Sequence, residues 1–123
     1  MKIRNWRDIT PQVGHANAII YPIFRERKEG VDTDEAQLIG LQNFTVHMLQ
    51  SGKESDYHQH TTKEQLFYFT KGRGKMNIDD QLYDVREGDA VHVPPPTKHQ
   101  VINDSDEWLE HLIITTIIDP EEA

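Results

Sequence analysis

The sequence predicts an all-β domain, either a sandwich or a closed barrel. Short apolar or alternating runs recur about every 8–12 residues, with Gly, Pro, Asn or Asp clusters between them. No segment places its apolar residues at the helical period of 3.6. There is no internal repeat of 20–50 residues that would indicate a solenoid. At 123 residues the chain reads as one domain, 1–123, large enough to bury roughly two-thirds of its unfolded surface.

Residues 1–17 read as an N-terminal arm with Trp6 anchoring it into the core. AIIYPIF, 18–24, is strand-like, and Pro22 assigns it to an edge because proline offers no N–H to a ladder. The polar stretch 25–36 carries Gly30 and reads as an exposed turn. Residues 37–49 form one long strand or a bent pair broken near Gly40, and 50–57 form a loop. QLFYFT, 65–70, is a strand, and 76–85 a hairpin with Asp79 and Asp80 at its tip. AVHV, 90–93, is a short strand, followed by a rigid PPPTKH loop. WLEHLIITTII, 108–118, is the last and most apolar strand, and DPEEA a frayed tail. LIITTII lacks clean alternation, so both of its faces are covered or one meets a second subunit.

Composition removes several functions. With no cysteine, there are no disulfides, thiolate metal sites or thiol nucleophiles. A net charge of −8 without a basic cluster argues against a nucleic-acid partner. No apolar stretch approaches membrane-spanning length, and no apolar run follows the basic residues at the start. The expected location is cytoplasmic, with no membrane partner.

The chemistry concentrates in GKESDYHQHTTKEQLFYFTKG, 52–72. On a strand, residues two apart share a face at about 6.6 Å. His58 and His60 so placed can converge on one ion, with Glu64 or Gln65 following on the same hairpin and His99 supplying a distant ligand. Seven histidines give about 0.4 such His-x-His pairs by chance, so context must decide.

That context is Gly52-x5-His58-x-His60-x4-Gln65-x6-Gly72, then Gly88-x5-Pro94-x-Pro96-x2-His99-x3-Asn103. These stretches, 52–72 and 88–103, resemble the two signature motifs of the cupin superfamily. The resemblance spans about two-fifths of the chain and implies a double-stranded β-helix, the jelly-roll cupin barrel. It implies one divalent metal ion (Mn, Fe, Ni, Zn or Co) on His58, His60, His99 and an oxygen ligand. Pro96 stands where the family often has glycine. Counting back from Gly72 puts Gln65 at the family's carboxylate position, with Glu64 one residue earlier. Strand neighbours face opposite ways, so one of the two reaches the ion, and Gln65 is favoured. Three imidazoles and an amide carry no charge and leave the ion its full +2, the stronger Lewis acid.

The candidate catalytic residues are Glu64, His47, Tyr57 and Tyr68, as proton carriers or substrate-orienting groups. His92 reads as structural, and His111 as a residue at the mouth of the last strand or on the surface. His15 is a loop residue without an assigned role. Arg25 reads as a solvated member of a charge run, the alternative being that it reaches into a partner barrel and pairs with an anionic substrate. Three functions follow from the resemblance. The first is an isomerase, epimerase or lyase acting on a sugar-like or hydroxy- or keto-acid substrate. The second is an Fe(II) dioxygenase, and the third a non-catalytic small-ligand binder. A homodimer is expected, because LIITTII and AIIYPIF offer more apolar strand surface than one small barrel buries.

Overall fold

The computed structural model describes residues 1–118. Ten strands are present: β1 (Gln12–Gly14), β2 (Ala18–Glu26), β3 (Ala36–Leu38), β4 (Asn43–Leu49), β5 (Lys63–Lys71), β6 (Arg73–Ile78), β7 (Gln81–Arg86), β8 (Ala90–Val93), β9 (His99–Ile102) and β10 (Leu109–Ile117). Among the described residues one 3-10 turn, Trp6–Asp8, precedes these ten strands. The larger sheet runs β1-β2-β4-β10-β5-β8, with β3 added parallel to β2, and the smaller runs β7-β6-β9. All other pairings are antiparallel. The expected all-β jelly roll is present, with its core between the two sheets around Leu49, Phe69, Met76 and Leu109.

Period-two patterning fixes which residues face that core. On β10 the buried set is Leu109, His111, Ile113 and Thr115, alternating with half-buried Glu110, Leu112, Ile114 and Thr116. The strand lies in the middle of the sheet, between β4 and β5. On β5, Phe67 and Phe69 are buried while Leu66 and Tyr68 are exposed.

Residues 37–49 adopt the bent-pair arrangement, β3 and β4 flanking Gly40. The 76–85 hairpin is longer than expected, 73–86, with Asp79 and Asp80 at φ 48° and 69°, both positive as a type I′ turn requires. Strand β2 is not a sheet edge, since β4 pairs along it and β1 and β3 add to its other side. Pro22 falls between the stretches taken by β1 and β3, beside a register shift against β4. The missing N–H is therefore absorbed by a local gap rather than by an edge strand. Trp6 does not enter the core. It stays half-buried and packs edge-on against Tyr21, 5.0 Å between centroids, with Arg7 over its ring at 4.8 Å. The expected frayed tail, 119–123, lies outside the described residues.

Candidate metal centre

His58 and His60 come from the connection between β4 and β5, not from a hairpin. That connection is held against β9. The His58 N–H donates to the His99 carbonyl (3.1 Å), and the His99 N–H donates to the His58 carbonyl (2.8 Å). Two imidazoles forty-one positions apart are thus set side by side by one antiparallel bridge. Further bonds continue this seam. Ser55 N–H donates to the Val101 carbonyl, and Asn103 N–H to the Lys53 carbonyl, both at 2.9 Å. Asn103 itself is buried, donating through Nδ2 to the carbonyls of Leu49 (2.9 Å) and Glu107 (2.7 Å).

The imidazoles of His58, His60 and His99 each offer a ring nitrogen, all within 4.8 Å of one another. His58 Nε2 and His60 Nε2 are 3.2 Å apart. Nitrogens at about 2.0–2.1 Å from a shared ion stand roughly 2.8–3.4 Å apart. Two nitrogen lone pairs that close need a proton or a cation between them. The opposite ring nitrogens fix the tautomers. His99 Nδ1 donates to the Thr97 carbonyl (2.9 Å), and His58 Nδ1 donates to the Asp56 carbonyl (3.1 Å). This leaves both Nε2 atoms unprotonated, the arrangement metal-binding imidazoles use. His99 Nε2 is buried and has no hydrogen-bond partner.

Burial holds His60 down to a pKa of about 4, with His58 and His99 adding to the effect. Burial also lowers His99, against the Thr97 carbonyl. Neutral rings with free lone pairs are what a cation site needs.

Gln65 lines the same space. Its Nε2 donates to Thr115 Oγ1 at 3.1 Å, leaving Oε1 buried and without a hydrogen bond. An orphaned amide oxygen and an orphaned imidazole nitrogen on one cavity fit a divalent cation. Glu64 is on the other face of β5, its carboxylate 2.7 Å from His92 Nε2 in the exposed layer. The strand's alternation puts Gln65, not Glu64, on the cavity side, and Glu64 is corrected from a proton carrier to a surface hydrogen-bond partner of His92. Tyr68 shares that outer face and is likewise removed from the site. Tyr57 is also outside: its hydroxyl donates to Asp80 Oδ1 (2.8 Å) and accepts from Asp80 N–H (2.7 Å). Lys98 lies over its ring at 4.3 Å. His47 is the one expected catalytic residue that lines the cavity. It is buried, bonded through Nε2 to Thr45 Oγ1 (3.0 Å), and held well below its usual pKa by burial, then by His111 and His15.

Two residues join the site that sequence reading placed elsewhere. His111 is 3% exposed and lines the cavity, stacked on Phe67 at 5.6 Å and tilted against Phe69 at 5.2 Å. Its position between Leu109 and Ile113 on the inward face overrides the expected mouth or surface placement. Burial drops its pKa to about 3. His15 arrives from the N-terminal arm, where His15 and Ala16 take φ 48° and 69°. Its ring stacks on His58 at 5.1 Å, and Nδ1 meets Asp56 Oδ1 at 3.1 Å.

The space lined by His15, His47, His58, His99 and His111 is about 20 Å³, the room of an ion or about one water. It adjoins a second space of about 170 Å³, and the two share His15, His47, Gln65 and Ile113.

Comparison with known proteins agrees with this geometry. The family model described as "Cupin domain" matches residues 45–115. An uncharacterised protein of Methanocaldococcus jannaschii, MJ1618, is 32% identical over 62 residues, covering 50% of each chain. This chain therefore spans about half the length of that curated relative. A predicted oxalate decarboxylase from Thermotoga maritima superposes with a TM-score of 0.80 at 16% identity, over 94% of this chain and 99% of its own. The polyketide cyclase RemF of Streptomyces resistomycificus gives 0.76 at 14%, over 94% and 79%. A sugar phosphate isomerase from Silicibacter pomeroyi gives 0.73 at 17%, over 91% and 73%. At these identities the likeness is one of fold.

Proposed function

This chain belongs to the cupin domain family, and from that premise we propose that it is a mononuclear metal enzyme of the isomerase, epimerase or lyase type. Its substrate is a small hydroxy- or keto-acid or a sugar-like molecule. One observation carries the reading: ring nitrogens of His58, His60 and His99 lie within 4.8 Å of one another, two of these rings have Nδ1 committed to carbonyls, and His58 and His99 line a cavity with Gln65, whose side-chain oxygen is orphaned. His58, His60, His99 and Gln65 would hold the ion. Bound there, a divalent cation with uncharged ligands supplies Lewis acidity towards a substrate oxygen.

The chain's own residues supply the rest. Thr115 orients the Gln65 amide. Thr97 and Asp56 fix the imidazole tautomers. His47 moves the proton: burial keeps its ring neutral, the form that can accept one. It lines both the ion-sized space and the outer one, so it reaches a molecule in either. Phe67, Val101 and Ile113 form apolar walls of the inner space.

Elemental analysis of purified protein tests this, with about one ion per chain expected. His99→Ala should lose the metal, and His47→Gln should keep it while losing turnover. Metal retention by His99→Ala would end the reading. Iron accompanied by oxygen consumption would favour a dioxygenase, and a bound organic molecule without metal would favour a binder. Leu66, Tyr68 and Ile117 are exposed on β5 and β10, which supports pairing of two copies through this sheet. Sedimentation at a dimer mass is the expected result.

A further inference from the structure

The outer space is distinguished by its charge. Among the described residues, Arg25 is the one Arg, Lys, Asp or Glu that lines either space. The protein as a whole carries −8, yet the described residues place no carboxylate on these walls. Arg25 sits near the end of β2, register-paired with Asn43 of β4, and Asn43 and Thr45 line the same wall. Its Nε is buried and makes no hydrogen bond, although Glu35 Oε2 lies 3.3 Å away. Glu35 is placed there by its own backbone, since the Arg25 N–H donates to the Glu35 carbonyl at 2.8 Å.

We propose that Arg25 anchors the carboxylate of a small hydroxy- or keto-acid, deepening the proposed function, on which this rests. The guanidinium fork matches a carboxylate in two parallel bonds. Arg25, half-exposed and 3.3 Å from Glu35, is among the described residues the one charged group lining the recess, and it attracts an incoming anion. With the carboxylate at Arg25, the molecule's hydroxyl or keto oxygen points towards the Gln65 and His47 end, which the two spaces share. At about 170 Å³, the outer space is well below the roughly 300–1,000 Å³ of pockets for drug-sized ligands. That size favours three- or four-carbon acids over a phosphorylated hexose. Glu35 competes for the guanidinium, so the substrate completes a hydrogen bond that Glu35 leaves unmade.

The test is calorimetric titration of metal-loaded protein with lactate and pyruvate, with methyl lactate and glucose 6-phosphate as comparison probes. The wild type should bind the two acids and reject the uncharged ester. Arg25→Met should weaken acid binding about ten- to hundredfold, and Arg25→Lys should recover part of it. Glu35→Gln should tighten binding severalfold, a gain that a purely structural role for Arg25 would not produce. Circular dichroism and metal content are read on every variant. Binding by Arg25→Met within twofold of wild type, no acid binding by the wild type, or preference for the hexose phosphate would each overturn the proposal. Failure of the underlying metal reading is separate, because it shows as missing metal in the wild type before any titration.

Discussion

Replacing Asn103 with alanine should cost about 3–5 kcal/mol of folding stability. The side chain is 1% exposed and makes four hydrogen bonds. Nδ2 donates to the carbonyls of Leu49 and Glu107, while Oδ1 accepts from Ser105 N–H (3.1 Å) and Ser105 Oγ (2.7 Å). Each such bond is worth about 1 kcal/mol net, and a buried group left without a partner costs about 1–3 kcal/mol. Truncation strips a partner from two carbonyls and one N–H in the same small region. The total approaches the lower end of the 5–15 kcal/mol typical of whole domains. At about 4 °C per kcal/mol for a chain of this size, the midpoint should fall by roughly 12–20 °C. Urea unfolding followed by tryptophan fluorescence measures the loss, and the slope with denaturant should stay unchanged. Ser105→Ala should cost only about 1 kcal/mol, since it leaves both Nδ2 bonds intact. A loss below about 1 kcal/mol for Asn103→Ala would show that these bonds do not hold the 49–55 segment, and the account of how His58 reaches His99 would fail with it.

Gly72→Ala should cost more than about 3 kcal/mol: φ is +85° and the new Cβ would meet the Trp108 carbonyl oxygen at 2.5 Å. Loss within 1 kcal/mol, read by the same unfolding assay, would contradict this contact. His111 gives a signed pH dependence. Its folded pKa of about 3 lies below the ordinary 6.5, so only the unfolded chain takes up this proton between those values. Stability is therefore full above about pH 6.5 and falls with acidification, by about 2 kcal/mol at pH 5. His111→Phe should flatten the profile by that amount, and identical wild-type and variant curves from pH 7 to 5 would refute it.

Much of the fold was legible because strand parity is a local signal. Gln65 could be preferred over Glu64 because it shares parity with Phe67 and Phe69. The same rule applied to Leu109, His111 and Ile113 would have sent His111 inward, but its place near a strand start suggested a rim. His15 carried no comparable signal. Its arrival depends on two residues with left-handed backbone in the arm and on contacts to residues some forty positions away. Arg25 looked solvated because Glu26, Arg27, Lys28 and Glu29 follow it. Only the closing of β2 against β4 shows that Arg25 lines a recess. Tyr57 and Tyr68 flank the candidate ligands in sequence, but adjacency along a chain does not fix which side of a sheet a ring takes.

The backbone bridge between His58 and His99 bears on how the molecule would come apart. An ion held by both rings would act as a reversible cross-link across the intervening segment, and closing a loop of that length would remove about 4 kcal/mol of freedom from the unfolded chain. That loop encloses all of β5 to β8 and the start of β9, but not β2, β4 or β10. Ion binding should therefore tighten amide protection most in the His58 connection and β9, while β2, β4 and β10 should exchange at the same rate with or without it.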